Sequence, residues 1–131
     1  VWKKAISNSG YNTLSALTRL RVGPMLDCEE GRQLIKSVWA EGCAVAKALT
    51  GVDLWEEMLE ELPRLREGFA KYYPSMAQDV LINRRQTEVE LLNGAIVHYG
   101  RLLGIPTPVN EALTLMIQTI QKNYDMQYCK Q

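Results

Sequence analysis

The chain has 131 residues, 47% hydrophobic and 23% charged, which is ordinary globular usage at a size that can bury about two thirds of its unfolded surface. Fifteen basic residues balance fifteen acidic ones, which argues against a nucleic-acid binder, because phosphate contacts need a basic surplus. No apolar run approaches the roughly 20 residues of a membrane helix and no signal peptide opens the chain, so the sequence predicts a cytoplasmic domain.

The chain starts at Val1 and runs straight into a helical pattern, as a piece of a longer protein would. Trp2, Ile6, Leu14, Leu17 and Leu20 supply the apolar side of this first helix. Gly10 interrupts it, at up to about 1 kcal/mol relative to alanine, and leaves room for the close approach of a neighbour. Lys4, Asn8 and Asn12 recur every four residues, about 40° apart around the axis, and so form one polar row. Lysine can donate a proton or hold an anion, and asparagine can donate and accept. Such a row can grip a small molecule bearing a carboxylate and a carbonyl; a solvated helix face is the competing reading. Lys3 points about 100° away from the row.

Gly23 and Pro24 mark RVGPML as a turn region. A second helix is expected from Glu29 to Thr50, with Leu34, Ile35, Val38, Trp39, Gly42, Val45, Ala46 and Leu49 inward and Gly51 as terminator. Asp53 with Glu56 has capping-box spacing and opens a third helix through Leu54, Met58 and Leu62, which Pro63 should kink or end. Glu56, Glu57, Glu60 and Glu61 read as its solvated face rather than a metal site, since no inward histidine joins them.

Tyr72, Tyr73 and Pro74 break the pattern before Ser75, which has Gln78 three residues on and the spacing of a helix cap. Asn83, Arg84, Arg85 and Gln86 form a polar loop whose basic pair is either solvated or turned toward a cofactor phosphate. Thr87 and Glu90 again have capping-box spacing. A helix should start at Thr87, bury Val89, Leu92, Ala95, Ile96, Tyr99, Leu102 and Leu103, and stop at Gly104. Glu88 would then lie in its first turn, where the dipole favours a carboxylate. Asn93 and Gly94 are assigned to close packing. Thr107 and Pro108 read as the cap and first residue of a last helix, packed through Val109, Ala112, Leu113, Met116, Ile117 and Ile120 and running to about Tyr124.

Cys28, Cys43 and Cys129 are odd in number and lack metal-site spacing, so they read as reduced thiols, and the single His98 as an ordinary helix residue. With no strand pattern and no G-x-G-x-x-G, the expectation is one all-α domain of about six or seven helices.

K-x-x-x-N-x-x-x-N from Lys4, P-S-M-A-Q-D-V from Pro74, T-E-V-E-L-L-N-G-A-I-V from Thr87 and G-I-P-T-P-V-N-E-A-L from Gly104 together resemble the C-terminal helical domain of the ketopantoate reductase (2-dehydropantoate 2-reductase) family. The resemblance runs from Lys4 to about Ile120. It implies that residues 1–131 are a substrate-binding and catalytic domain. It also implies a preceding NADP-binding Rossmann domain in cis, absent from this chain, that binds most of the NADPH. The implied reaction reduces ketopantoate, a small 2-oxo acid, to pantoate on the way to pantothenate and coenzyme A, and a homodimer is compatible with it.

The resemblance makes Lys4 the general acid, Asn8 and Asn12 substrate-binding residues, Ser75 a contact to the substrate carboxylate, and Glu88 a catalytic partner that hydrogen-bonds substrate near the lysine. Neither metal, membrane nor nucleic acid enters, and this chain alone is expected to be inactive. At Val22 the sequence departs from the family, some members of which place a further substrate-contacting asparagine there. The departure keeps alive a related NAD(P)-dependent oxidoreductase acting on another 2-oxo or hydroxy acid. A non-catalytic helical dimerisation module is the rival from a different class.

Overall fold

α1 (Trp2–Thr18) and α3 (Glu29–Thr50) cross where their side chains vanish. A Cβ on Gly10 would sit 2.6 Å from Trp39 Nε1, and one on Gly42 would sit 3.0 Å from Ile6 Cγ1. The space lets the fully buried Trp39 indole lie on α1 and donate to the Ser7 carbonyl at 3.3 Å. The structure, a computed structural model, describes residues 1–128. Among these are seven α-helices and no strand: α2 is Val22–Asp27, α4 Trp55–Phe69, α5 Ser75–Gln78, α6 Asn93–Leu103 and α7 Pro108–Gln121. A π-helical turn follows α5 at Asp79–Asn83, and 3-10 turns occupy Val89–Leu91 and Tyr124–Met126. One core joins α1 to α4 with α7 through Ile6, Leu14, Met25, Ile35, Trp39, Met58 and Leu113. A second joins Ala16, Met76, Ala77, Val80, Val89 and Ile117. No described helix is long and apolar enough to cross a membrane.

α3 has its expected ends, with Gly51 left-handed at φ 79° and its N–H on the Lys47 carbonyl. Leu34 and Leu49 face solvent at the margins of its stripe, and Gly31 and Cys43 take inward places instead. Cys28 is exposed and Cys43 buried, both free; Cys129 lies outside the described residues.

Elsewhere distant partners override local signals. RVGPML is not a turn, because Val22 opens α2, the Val22 and Gly23 amides reach the Tyr72 and Ala70 carbonyls, and Pro24 falls in the first turn where no amide is needed. α1 ends at Thr18 on a left-handed Arg19, so Leu20 lies beyond it and is exposed. Pro63 does not end α4, which runs on through it to Phe69 with Met58, Leu62 and Leu65 buried on both sides. Asp53 forms no capping box; its Oδ1 accepts the Trp55 amide from just outside the helix, at 3.0 Å. Ser75 is the first residue of α5 rather than its cap, a place Pro74 takes, and Gln78 Nε2 donates to the Tyr73 carbonyl at 2.8 Å.

The helix expected from Thr87 starts at Asn93. The Thr87 hydroxyl donates to Gln121 Oε1 at 2.7 Å, and Gln118 Nε2 donates to Glu90 at 3.1 Å, so α7 takes both members of the would-be box. The chain makes a 3-10 turn, bends at Leu92 and starts α6 on a new phase. Ile96, Val97 and Gly100 are therefore buried while Tyr99, Leu102 and Leu103 are exposed. Glu88 precedes the 3-10 turn rather than sitting in an α-helical first turn. Pro108 is the first residue of α7 as expected, but the Thr107 hydroxyl does not cap it. Asn110 and Thr114 face inward where Ala112 and Met116 were expected, and α7 stops at Gln121.

Candidate active site

The polar row of α1 descends from solvent toward the core. Lys4 is exposed, Asn8 half-buried and Asn12 only 6% exposed. Eight residues of helix separate Lys4 from Asn12 by roughly 12 Å along the axis. Asn8 Oδ1 accepts the Tyr11 hydroxyl, so the amide N–H₂ is what Asn8 can offer a ligand. Burial, then the neighbouring Tyr72 and Glu61, pushes the Tyr11 hydroxyl above its usual range, so it stays protonated as a steady donor. Asn12 Oδ1 is sealed from solvent without a hydrogen-bond partner. A buried acceptor left in that state costs about 1–3 kcal/mol, which a ligand or a water bound at the amide can relieve.

Two adjacent lysines are used differently. Lys3 Nζ lies 3.7 Å from Glu57 Oε2 and 3.6 Å from Glu61 Oε1, tied to the acidic face of α4. No ion pair among the described residues includes Lys4. The α4 acids thus serve as a solvated, partly paired face, and no three His, Cys, Asp or Glu among the described residues are grouped to hold a metal ion.

α5 packs on α1 where Thr13 Oγ1 lies 3.7 Å from Met76 Sδ. Ser75 is exposed with its hydroxyl unused as a cap. Glu88 is exposed directly before Val89, whose side chain is buried with Met76 and Ala77. The fold therefore brings the elements carrying Asn12, Ser75 and Glu88 against one another, with Lys4 at the outer end of the row. Among the described residues no side-chain hydrogen bond joins any two of the five, Lys4, Asn8, Asn12, Ser75 and Glu88. Lys4, Ser75 and Glu88 are exposed, and enclosing a small molecule against them takes a second surface. Of the basic pair, Arg85 is held by Asp79 at 2.6 Å and Arg84 lies over the Tyr124 ring. A separate cleft of about 260 Å³ between α6 and α7 holds none of the five; its Arg101 and Glu111 pair at 2.7 Å, and the exposed His98 lines it.

Sequence reasoning missed the polar network behind α1. Asn93 and Asn110 are fully buried and bonded to each other, Nδ2 to Oδ1, at 3.0 Å. Glu41 of α3 accepts the Val109 and Asn110 amides, both at 2.9 Å, and so caps α7. The asparagines stand in the N-G and T-P-V-N strings, but Glu41 carries no local signal, its partners being 68 and 69 residues away.

A sequence profile described as ketopantoate reductase PanE/ApbA C terminal matches residues 1–121. A 2-dehydropantoate 2-reductase of Streptococcus pyogenes serotype M3 is 34% identical over 118 residues, covering 89% of this chain and 38% of that protein. The crystal structure of a PanE/ApbA family ketopantoate reductase from Ralstonia eutropha JMP134 superposes with a TM-score of 0.86 at 34% identity, over 95% of this chain and 41% of that one. A ternary structure of D-mandelate dehydrogenase with NADH and anilino(oxo)acetate superposes with a TM-score of 0.88 at 25% identity, over 96% and 41% of the two chains. The chain thus spans 38% to 41% of the length of these proteins.

Proposed function

The chain belongs to the ketopantoate reductase C-terminal family, and we propose that it is the substrate-side half of an NADPH-dependent 2-dehydropantoate 2-reductase that converts ketopantoate to pantoate. The observation that carries this is the α1 row: an exposed Lys4 free of carboxylates, an Asn8 presenting N–H, and a buried Asn12 with an unpartnered Oδ1. In this reading a preceding Rossmann domain in cis holds the cofactor and supplies the second surface. The described residues contain no strand on which a pyrophosphate loop could be built, so what the chain fits is the substrate side. The nicotinamide supplies hydride when bound. Lys4 stabilises the charge that develops on the 2-oxo oxygen and gives it a proton. The Asn8 N–H₂ and the Ser75 hydroxyl donate to the carboxylate and carbonyl, and Asn12 can donate to them only through its N–H₂, its Oδ1 taking a donor such as a hydroxyl or a water. Glu88 hydrogen-bonds substrate near the lysine. Cytoplasmic location, a place in pantothenate and coenzyme A biosynthesis, and assembly as a homodimer belong to the same reading.

A second substrate within the same chemistry has an observation of its own. Val22 is fully buried with its amide on the Tyr72 carbonyl, so no polar group from that position reaches substrate. With a D-mandelate dehydrogenase sharing the fold, another 2-oxo acid is the alternative. The test is a panel of 2-oxo acids on the full-length protein, wild type and Asn12→Ala. Ketopantoate should have the highest kcat/KM, and Asn12→Ala should raise its KM by roughly the two- to twelvefold that one hydrogen bond of about 0.5–1.5 kcal/mol represents. A bulkier oxo acid outperforming ketopantoate would move the assignment to the alternative, and unaltered kinetics in Asn12→Ala would remove Asn12 from substrate binding and leave it a buried structural residue.

A further inference from the structure

The row can orient a substrate only if α1 is held at one rotation about its axis, and directed bonds fix that angle more sharply than apolar packing, which is non-directional, does alone. At 10–12 Å across, a helix that rolls by about 10° moves a side-chain tip by about 1 Å. Misplacement of that size can cost on the order of a hundredfold in rate. The structure holds α1 by directed bonds at the turns that carry the asparagines. Asn93 Nδ2 donates to the Ser9 carbonyl at 3.1 Å, and the Thr13 hydroxyl donates to Asn93 Oδ1 at 2.5 Å. Ser9 and Thr13 each follow a row asparagine by one residue, about 100° round the axis, so they face the core while Asn8 and Asn12 face the site. Trp39 grips the Ser7 carbonyl on the other side of Asn8.

Asn93 is itself immobilised. Its second amide hydrogen goes to Asn110 Oδ1, and Asn110 Nδ2 donates to Val38 O at 3.2 Å and to Glu41 Oε1 at 2.8 Å. The bonds run from α1 through α6 and α7 to the backbone of α3.

Resting on the proposed reductase reading, we propose that Asn93 is a positioning residue, a clamp that fixes the rotation of α1 and so aims Asn8 and Asn12 at the substrate. The test uses the full-length enzyme, Thr13→Val, which keeps the shape and removes the hydroxyl that donates to Asn93, and Asn93→Leu, which removes the clamp. Thr13→Val carries the test should Asn93→Leu fail to fold. Both should lower kcat/KM for ketopantoate, Thr13→Val by roughly tenfold, with the KM for NADPH unchanged. In an Asn8→Ala/Asn12→Ala background the Thr13→Val loss should shrink to at most about twofold, because both residues it aims are gone. Ile6→Val, fully buried on the same helix, should lower the melting temperature comparably and leave kcat/KM alone. Equal Thr13→Val losses in both backgrounds, or an Ile6→Val loss of the same size, would overturn the clamp and leave Asn93 to stability only. Asn8→Ala/Asn12→Ala without kinetic effect would instead overturn the row, and the clamp with it.

Discussion

Substituting Lys4 by methionine in the full-length enzyme separates chemistry from stability, because Lys3 beside it carries the same charge in a different environment. Lys4 is exposed and outside every ion pair among the described residues, so Lys4→Met should change stability by no more than about 0.5 kcal/mol, or about 1–2 °C in the Tm of the full-length protein. Lys3 bridges Glu57 and Glu61 at 3.7 and 3.6 Å. Those pairs are partly exposed and solvent-screened, so Lys3→Met should cost about 0–1 kcal/mol. On turnover the order reverses. General acid catalysis contributes about a hundredfold to ten-thousandfold, or about 3–5 kcal/mol of barrier. Lys4→Met should lose at least about two orders of magnitude in kcat with ketopantoate, and Lys3→Met should keep most of it. The assay is steady-state NADPH oxidation beside thermal unfolding of all three proteins. Equal kinetic losses at the two lysines would mean that diffuse positive charge suffices, and near-wild-type turnover in Lys4→Met would sink the mechanism.

Gly10→Ala, which helix propensity alone favours by about 1 kcal/mol, should lower stability instead. Its Cβ would meet the buried Trp39 indole at 2.6 Å, and overpacking costs about 1–3 kcal/mol; a raised Tm would contradict the packing argument. Glu41→Ala should destabilise by about 3 kcal/mol in denaturant titrations, since it strips a charged acceptor from the Val109 and Asn110 amides; a loss below about 1 kcal/mol would mean that water replaces the cap. Cys43 gives a pH signature: burial, then the nearby Asp53, raises its thiol from 9.0 to about 11. Between those values the unfolded chain loses this proton and the folded one keeps it, so stability should fall as pH rises through the window, by at most about 2.7 kcal/mol relative to Cys43→Ala; parallel stability curves for the two proteins would refute it. The isolated 131-residue chain should fold yet neither reduce ketopantoate nor bind NADPH tightly, and micromolar NADPH binding by calorimetry would refute the division of labour.

What the sequence made legible was what neighbours along the chain decide. α3 could be placed end to end because nothing breaks its period and Gly51 accepts φ 79° without a Cβ. Pro108 at the first position of α7 is equally local. The capping boxes failed for the opposite reason. Gln121 lies 34 residues from Thr87 and Gln118 lies 28 from Glu90, and beside those distant bonds Thr87 Oγ1 accepts the Val89 amide at 3.3 Å, which opens a 3-10 turn rather than an α-helix. Pro63 shows the same competition with the other sign: its cost of about 3 kcal/mol is outweighed by Met58, Leu62 and Leu65 in the core.

At the site, the four-residue spacing of Lys4, Asn8 and Asn12 was readable because it follows from helix geometry alone. The gradient of burial along the row was not, since it depends on where Tyr11 and α5 lie. That gradient is what gives Asn12 its weight. Three asparagines are buried here, and Asn93 and Asn110 have both amide hydrogens and the amide oxygen bonded to named partners. A fold able to satisfy those two is not short of polar partners in its interior. Asn12, one residue before Thr13 and its bond to Asn93, is nevertheless left with a sealed, unpaired oxygen. Asparagine at that point serves the packing of this chain poorly, since an apolar residue of similar volume would carry no desolvation cost. An acceptor in that state is relieved by a buried water or by a ligand that brings a donor, and the Asn12→Ala kinetics distinguish the two.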